Sequence, residues 1–65
     1  MPNAYIDGPK IDSVEVKRTL VKEVTDAMEK AYRFPRAAYV VTITENPGEN
    51  VGVGGVLISD RQQKR

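Results

Sequence analysis

From Ser13 to Tyr32 apolar residues recur at helical spacing, and a strand-like run lies on either side. That order constrains the fold more than any other feature of the chain. Stepping about 100° per residue puts Val16, Leu20, Val24, Ala27 and Ala31 on one arc, widened by Val14, Val21 and Met28. Arg18, Lys22, Asp26, Glu29, Lys30 and Arg33 fall on the other side. Lys17 falls inside the apolar arc, where its stem can cover apolar surface while its charge reaches water or a partner. Asp12 is the N-cap candidate, and Glu15 completes a capping-box-like pair with it. Phe34-Pro35 ends the helix, because the residue before a proline avoids the α region.

Asn3 to Asp7 reads as the first strand through Ala4, Tyr5 and Ile6, and Gly8-Pro9 closes it. Ala38 to Glu45 reads as the second, since Tyr39 to Thr44 are all β-branched or aromatic. Strand, long helix and strand in that order favour a right-handed crossover with parallel strands. Asn46-Pro47-Gly48 is a turn, and Val56-Leu57-Ile58 supplies a last short strand. Gly52, Gly54 and Gly55 read as a hairpin or a close backbone approach, because a phosphate loop needs a following helix and none is expected. Residues from Asp60 to Arg65 read as a frayed basic tail. The expected fold is α+β: a single β-α-β unit over residues 1–65, with a parallel two-stranded sheet and a short C-terminal hairpin.

One helix covers one face of such a sheet, so the face carrying Val40 or Val41 needs cover from elsewhere. The chain has 65 residues and neither Cys nor His, which removes disulfides and the usual structural zinc site. Oligomerisation is the stabilising device that remains for so small a chain. A homo-oligomer is therefore expected. Net charge is +1, too balanced to imply nucleic-acid or membrane binding. No signal peptide or membrane-spanning run is visible, and a cytoplasmic location is expected.

Without His or Cys, neutral-pH proton transfer needs another group, and Pro2 behind Met1 offers one. Removal of Met1 would leave Pro2 as a secondary amine at the chain end. An α-amino group has a reference pKa of roughly 7.7–8.0, and burial or nearby cations lower it, which suits a general base.

Pro2 with the strand Ala4-Tyr5-Ile6, the helical run Lys17 to Ala27, Pro35, Ile43-Thr44-Glu45 and Gly52-Val53-Gly54-Gly55 together resemble the 4-oxalocrotonate tautomerase family. Gly8-Pro9-Lys10 and Glu49 to Gly55 are similar to its DmpI branch. The resemblance spans nearly the whole chain. It implies a cofactor-independent isomerase, assembled as a trimer of dimers, that interconverts enol or dienol acids and keto acids. Pro2 would be the catalytic base, with no metal and no organic cofactor. The family's well-known members carry arginines at the positions of Asp12 and Val40 and an aromatic residue at Val51, so the resemblance carries the proline and leaves the carboxylate clamp unmatched. Lys10 and Arg36 are the candidate replacement cations, and Tyr39 and Asn50 candidate hydrogen-bonding groups. Solvated charge, packing and turn chemistry explain these four residue types as well. Two other readings stand beside the tautomerase: the same fold using Pro2 for hydration, dehalogenation or imine chemistry, and a non-catalytic oligomeric binding module.

Overall fold

The computed structural model describes residues 1–62 of the chain. Strand β1 (Asn3–Gly8), helix α1 (Val14–Tyr32) and strand β2 (Val40–Glu45) form the expected β-α-β unit. The strands pair in parallel, from Asn3 opposite Val40 to Gly8 opposite Glu45. Two further backbone bonds extend the ladder, from Val40 N–H to the Pro2 carbonyl at 3.1 Å and from Asn46 N–H to the Gly8 carbonyl at 2.8 Å.

The helix start corrects the expected cap by one residue. Ser13, extended at φ −119°, accepts the Val16 amide on Oγ at 3.3 Å and is the N-cap in place of Asp12. Glu15 is then a residue too early for a capping box, and it pairs with Arg18 instead. At the far end Arg33 adopts a left-handed conformation, φ 62°, and its N–H bonds the Glu29 carbonyl at 2.9 Å. The chain then turns through a 3-10 segment, Arg36–Ala38, so β2 begins at Val40 and not at Ala38.

Tyr39 secures that turn. Its hydroxyl accepts from Phe34 N–H at 2.8 Å and donates to the Phe34 carbonyl at 3.0 Å. Tyr39→Phe removes both bonds and is expected to cost about 1 kcal/mol, or about 4–8 °C in Tm for a domain of this size. An unchanged melting temperature would mean the hydroxyl contributes nothing to the turn.

Burial alternates along both strands. Ala4, Ile6, Val41 and Ile43 are half-buried on the face that α1 covers. Asn3, Tyr5, Asp7, Val40, Thr42 and Thr44 are exposed on the other, so of the two valines only Val40 belongs to the uncovered face. The helix meets the sheet through Lys17, Leu20, Val21, Val24, Thr25 and Met28. This stripe is rotated from the expected arc: Val14, Val16, Ala27 and Ala31 are exposed. Among the described residues no apolar side chain is buried, and Thr25 alone is, at 9% exposure.

Past β2, a second 3-10 turn (Gly48–Asn50) leads into an antiparallel hairpin of β3 (Gly52–Val53) and β4 (Val56–Leu57). Gly54 and Gly55 have φ of 61° and 84°, the two positive values that a tight two-residue hairpin turn demands. Helix α2 (Ile58–Gln62) follows, which corrects two expectations: Ile58 is helical, and the basic tail does not begin at Asp60. Ile58 N–H bonds the Val51 carbonyl at 2.8 Å and folds α2 back on the Gly48–Asn50 turn. Gly48 permits this approach, because a Cβ there would lie 3.0 Å from the Ser59 amide nitrogen. Residues 63–65 of the expected tail lie outside the described residues. No helix among the described residues is long and apolar enough to cross a membrane.

Candidate active site

Pro2 immediately precedes β1 and is half-buried, with its carbonyl fixed by the Val40 amide. Met1 projects beyond it, 83% exposed. The ladder therefore holds the ring of Pro2 at the sheet end while the residue that would have to be removed stands in solvent.

The crossover brings the start of β2 and the exit of α1 to this same end, and with them Arg36 and Tyr39. Neither side chain is idle. The Tyr39 hydroxyl is engaged by Phe34, as described above. Arg36 Nη1 lies 2.8 Å from Glu29 Oε1 and 2.9 Å from Asp26 Oδ1. Asp26 also accepts from Lys22 Nζ at 3.2 Å. The hydrogen bonds from Lys22 and Arg36 hold the Asp26 carboxyl below its usual range, and those to Glu29 and Asp26 raise the Arg36 guanidinium further.

Lys10 and Asn50 sit at the opposite end. β1 has six residues, which at ~3.3 Å each puts Gly8 about 20 Å from the Pro2 end. Lys10 lies in the loop after β1, exposed, and Asn50 closes the 3-10 turn with its N–H on the Pro47 carbonyl at 2.9 Å. Between these segments opens a concavity of about 310 Å³ lined by Asp7, Pro9, Asn46, Val51 and Ile58 among others. Asn46 Nδ2 donates to Asp7 Oδ1 at 2.9 Å on its rim. One copy of the chain thus has Arg36 and Tyr39 in the connection that enters β2 at the Pro2 end, their side chains engaged by α1 and Phe34, and leaves Lys10 and Asn50 remote from it.

Glu45 was not among the candidates that the sequence suggests, yet it joins three elements at the Lys10 end. Its Oε2 lies 2.8 Å from Lys17 Nζ and accepts from Ile11 N–H at 3.0 Å. The signal that could have found it is Lys17 itself, a cation inside an apolar stripe that needs a partner. The bonds from Lys17 and then from Ile11 hold the Glu45 carboxyl below its ordinary value of 4.5 against the opposing effect of burial, with the charges of Lys17 and Lys10 adding least. A depressed carboxylate stabilises the fold above its unfolded-state value, and that contribution is lost as pH falls through the folded one. The gap in Tm between wild type and Glu45→Gln is therefore expected at neutral pH and should close below about pH 4.5. A gap that persists unchanged at pH 3 would contradict the ion pair.

The chain thus combines a parallel β-α-β unit, a proline at the entrance of its first strand, and neither thiol nor imidazole. Comparison with known proteins makes this specific. The profile of the family described as tautomerase enzyme matches residues 2–61. The chain is 38% identical over 55 residues to 2-hydroxymuconate tautomerase of Stutzerimonas stutzeri, covering 85% of this chain and 87% of that one. The crystal structure of DmpI from Archaeoglobus fulgidus superposes with a TM-score of 0.81 at 44% identity, over 91% of this chain and all of that one. A heterohexamer 4-oxalocrotonate tautomerase from Chloroflexus aurantiacus superposes at 0.82 with 26% identity, over the whole of both chains. The chain belongs to the tautomerase family, in the 4-oxalocrotonate tautomerase group that its sequence resembles.

Proposed function

We propose that this chain is a cofactor-independent keto–enol tautomerase in which the nitrogen of Pro2, freed by removal of Met1, is the general base. The placement of Pro2 supports the reading: half-buried at the mouth of the parallel sheet and pinned through its carbonyl, beside an exposed Met1. In the neutral amine the nitrogen lone pair takes the hydroxyl proton of a small enol or dienol acid. The O–H electron pair forms the carbonyl, the double bond shifts along the chain, and the ammonium returns the proton to carbon. Every electron pair is accounted for by one proton moving from oxygen to carbon. The relatives named 2-hydroxymuconate tautomerase support a 2-hydroxy-dienoate as the substrate class.

The working unit in this proposal is a homo-oligomer, a trimer of dimers. The uncovered sheet face and the distance between Pro2 and Lys10 favour it, and so does the heterohexameric relative. Contacts between copies would set the Lys10 and Asn50 end of one against the Pro2 end of another. Lys10 then supplies positive charge for the substrate carboxylate and disfavours protonation of the amine. Arg36 and Tyr39 take part from the Pro2 end, Arg36 after exchanging a carboxylate of its own chain for that of the substrate.

The test uses purified protein whose intact mass establishes the loss of Met1. Ketonisation of 2-hydroxymuconate and of phenylenolpyruvate is followed by the decay of enol absorbance. Turnover well above the uncatalysed rate supports the reading. Processed protein that turns over neither enol defeats it.

A further inference from the structure

The parallel register sets Glu45, the last residue of β2, beside Gly8, the last residue of β1. The chain leaves the sheet there and crosses residues 9–13 before α1 can begin. That crossing carries Lys10, and Pro9 within it has no amide proton to give. Its tie to the sheet is the bond from Ile11 N–H to Glu45 Oε2, 34 residues away in sequence. The same oxygen meets Lys17 in the first turn of α1. One carboxylate therefore anchors the loop to the strand that precedes the Asn46 turn and to the helix that follows.

Glu45 Oε2 is held by these two partners, and Lys10 forms no ion pair with a carboxylate among the described residues. The ammonium of Lys10 is therefore available for an outside anion. A lysine is a point charge on a flexible stem, so its precision comes from where its backbone is held.

We propose that Glu45 is a positioning residue: its carboxylate fixes the loop of residues 9–13 in the place from which Lys10 receives the carboxylate of an enol acid. This role rests on the tautomerase reading and on Lys10 as a substrate-binding cation. Glu45 itself touches neither substrate nor base.

Steady-state kinetics on 2-hydroxymuconate test it, using processed wild type, Glu45→Ala, Glu45→Gln, Lys10→Ala and the two double variants. Glu45→Ala is expected to raise KM by about tenfold and change kcat by about twofold or less, the pattern of lost ground-state positioning. Glu45→Gln should do less, about threefold in KM, because its amide oxygen still accepts from Ile11. In the Lys10→Ala background neither change should raise KM further, since the loop then has no cation to aim. A loss that was only structural would multiply with Lys10→Ala and would lower kcat as well. Should Glu45→Ala fail to fold by circular dichroism, Glu45→Gln and its double variant decide the matter by the same criteria. An unchanged KM in a folded variant, or effects that multiply, overturns the role while leaving the tautomerase intact. No turnover by wild type removes the tautomerase and this role together.

Discussion

Inserting one alanine between Met1 and Pro2 is expected to lower kcat for enol ketonisation by about 10²–10⁴-fold while KM stays near its wild-type value. The insertion leaves the ring of Pro2 and its carbonyl bond to Val40 in place. After Met1 is removed, the proline nitrogen remains an amide without basicity, and the free amine lies one residue further out, on the inserted alanine. Loss confined to kcat is the signature of a group that acts in the transition state. Pro2→Ala should fall between this variant and wild type. Alanine keeps a terminal amine in the ordinary pKa range, but it is primary and no longer held by a ring that fixes φ. The acid limb of kcat/KM in the wild type is expected at or below about 8, because only the neutral amine can take a proton and nearby cations favour that form. The insertion variant should lack that limb. Turnover by the insertion variant within tenfold of wild type would place the base elsewhere in the chain.

The helix and both strands were legible because each is announced by its own period. What slipped was governed by contacts that the local sequence does not contain. Asp12 and Ser13 are adjacent and both able to cap, and the extended backbone at Ser13 decides between them. The helical wheel records which side is apolar, not what covers it. α1 has apolar residues over a wide arc, and the sheet takes the part centred on Val21, Val24 and Met28, leaving Val16, Ala27 and Ala31 outside. Lys17 is tolerated in the covered part because Glu45 meets its charge, a pairing across 28 positions that only the crossover creates. Helix α2 escaped notice because Ser59, Asp60, Arg61 and Gln62 carry no periodic apolar signal. Its first residue is held by a backbone bond to Val51 that depends on the hairpin before it.

The candidate site divides the same way. Pro2 is suggested by its place behind Met1 together with the family resemblance, and its role as base belongs to the proposal. Lys10 and Arg36 are suggested as replacements for the family's cations, and Tyr39 and Asn50 as hydrogen-bonding groups, and the fold sorts the four by end of the sheet. Arg36 has Asp26 and Glu29 as partners, and Tyr39 has the Phe34 backbone, neither of which a linear reading could foresee. Lys10 and Asn50 are far from Pro2 in one copy. A site shared between copies is invisible to any argument made within one.

Tyr5→Asp is expected to abolish assembly and, with it, most of the folded structure. A compact monomer of 7.2 kDa exposes about 4,100 Å² by size scaling, whereas this chain exposes 5223 Å². Its radius of gyration is 15.4 Å, against about 10.7 Å for a compact chain of this length. No apolar side chain among the described residues is buried, so a lone copy has little to offset the entropy of ordering its backbone. Tyr5 stands at the centre of the uncovered sheet face, 76% exposed, in register with Thr42. Covered by another copy, it would remove roughly 150–250 Å² of its own surface from water. An aspartate there would instead bring an unpaired carboxylate into the interface, a cost of several kcal/mol in every copy at once. Wild type should sediment as an oligomer at micromolar concentration, with a melting temperature that rises with concentration. Tyr5→Asp should sediment as a monomer with most of its helical circular dichroism lost, while Tyr5→Phe should assemble. A Tyr5→Asp monomer with wild-type helicity would mean that the single β-α-β layer is stable alone. That outcome would also remove the physical reason for the sheet face to have a partner, and with it the argument that Lys10 of one copy serves Pro2 of another.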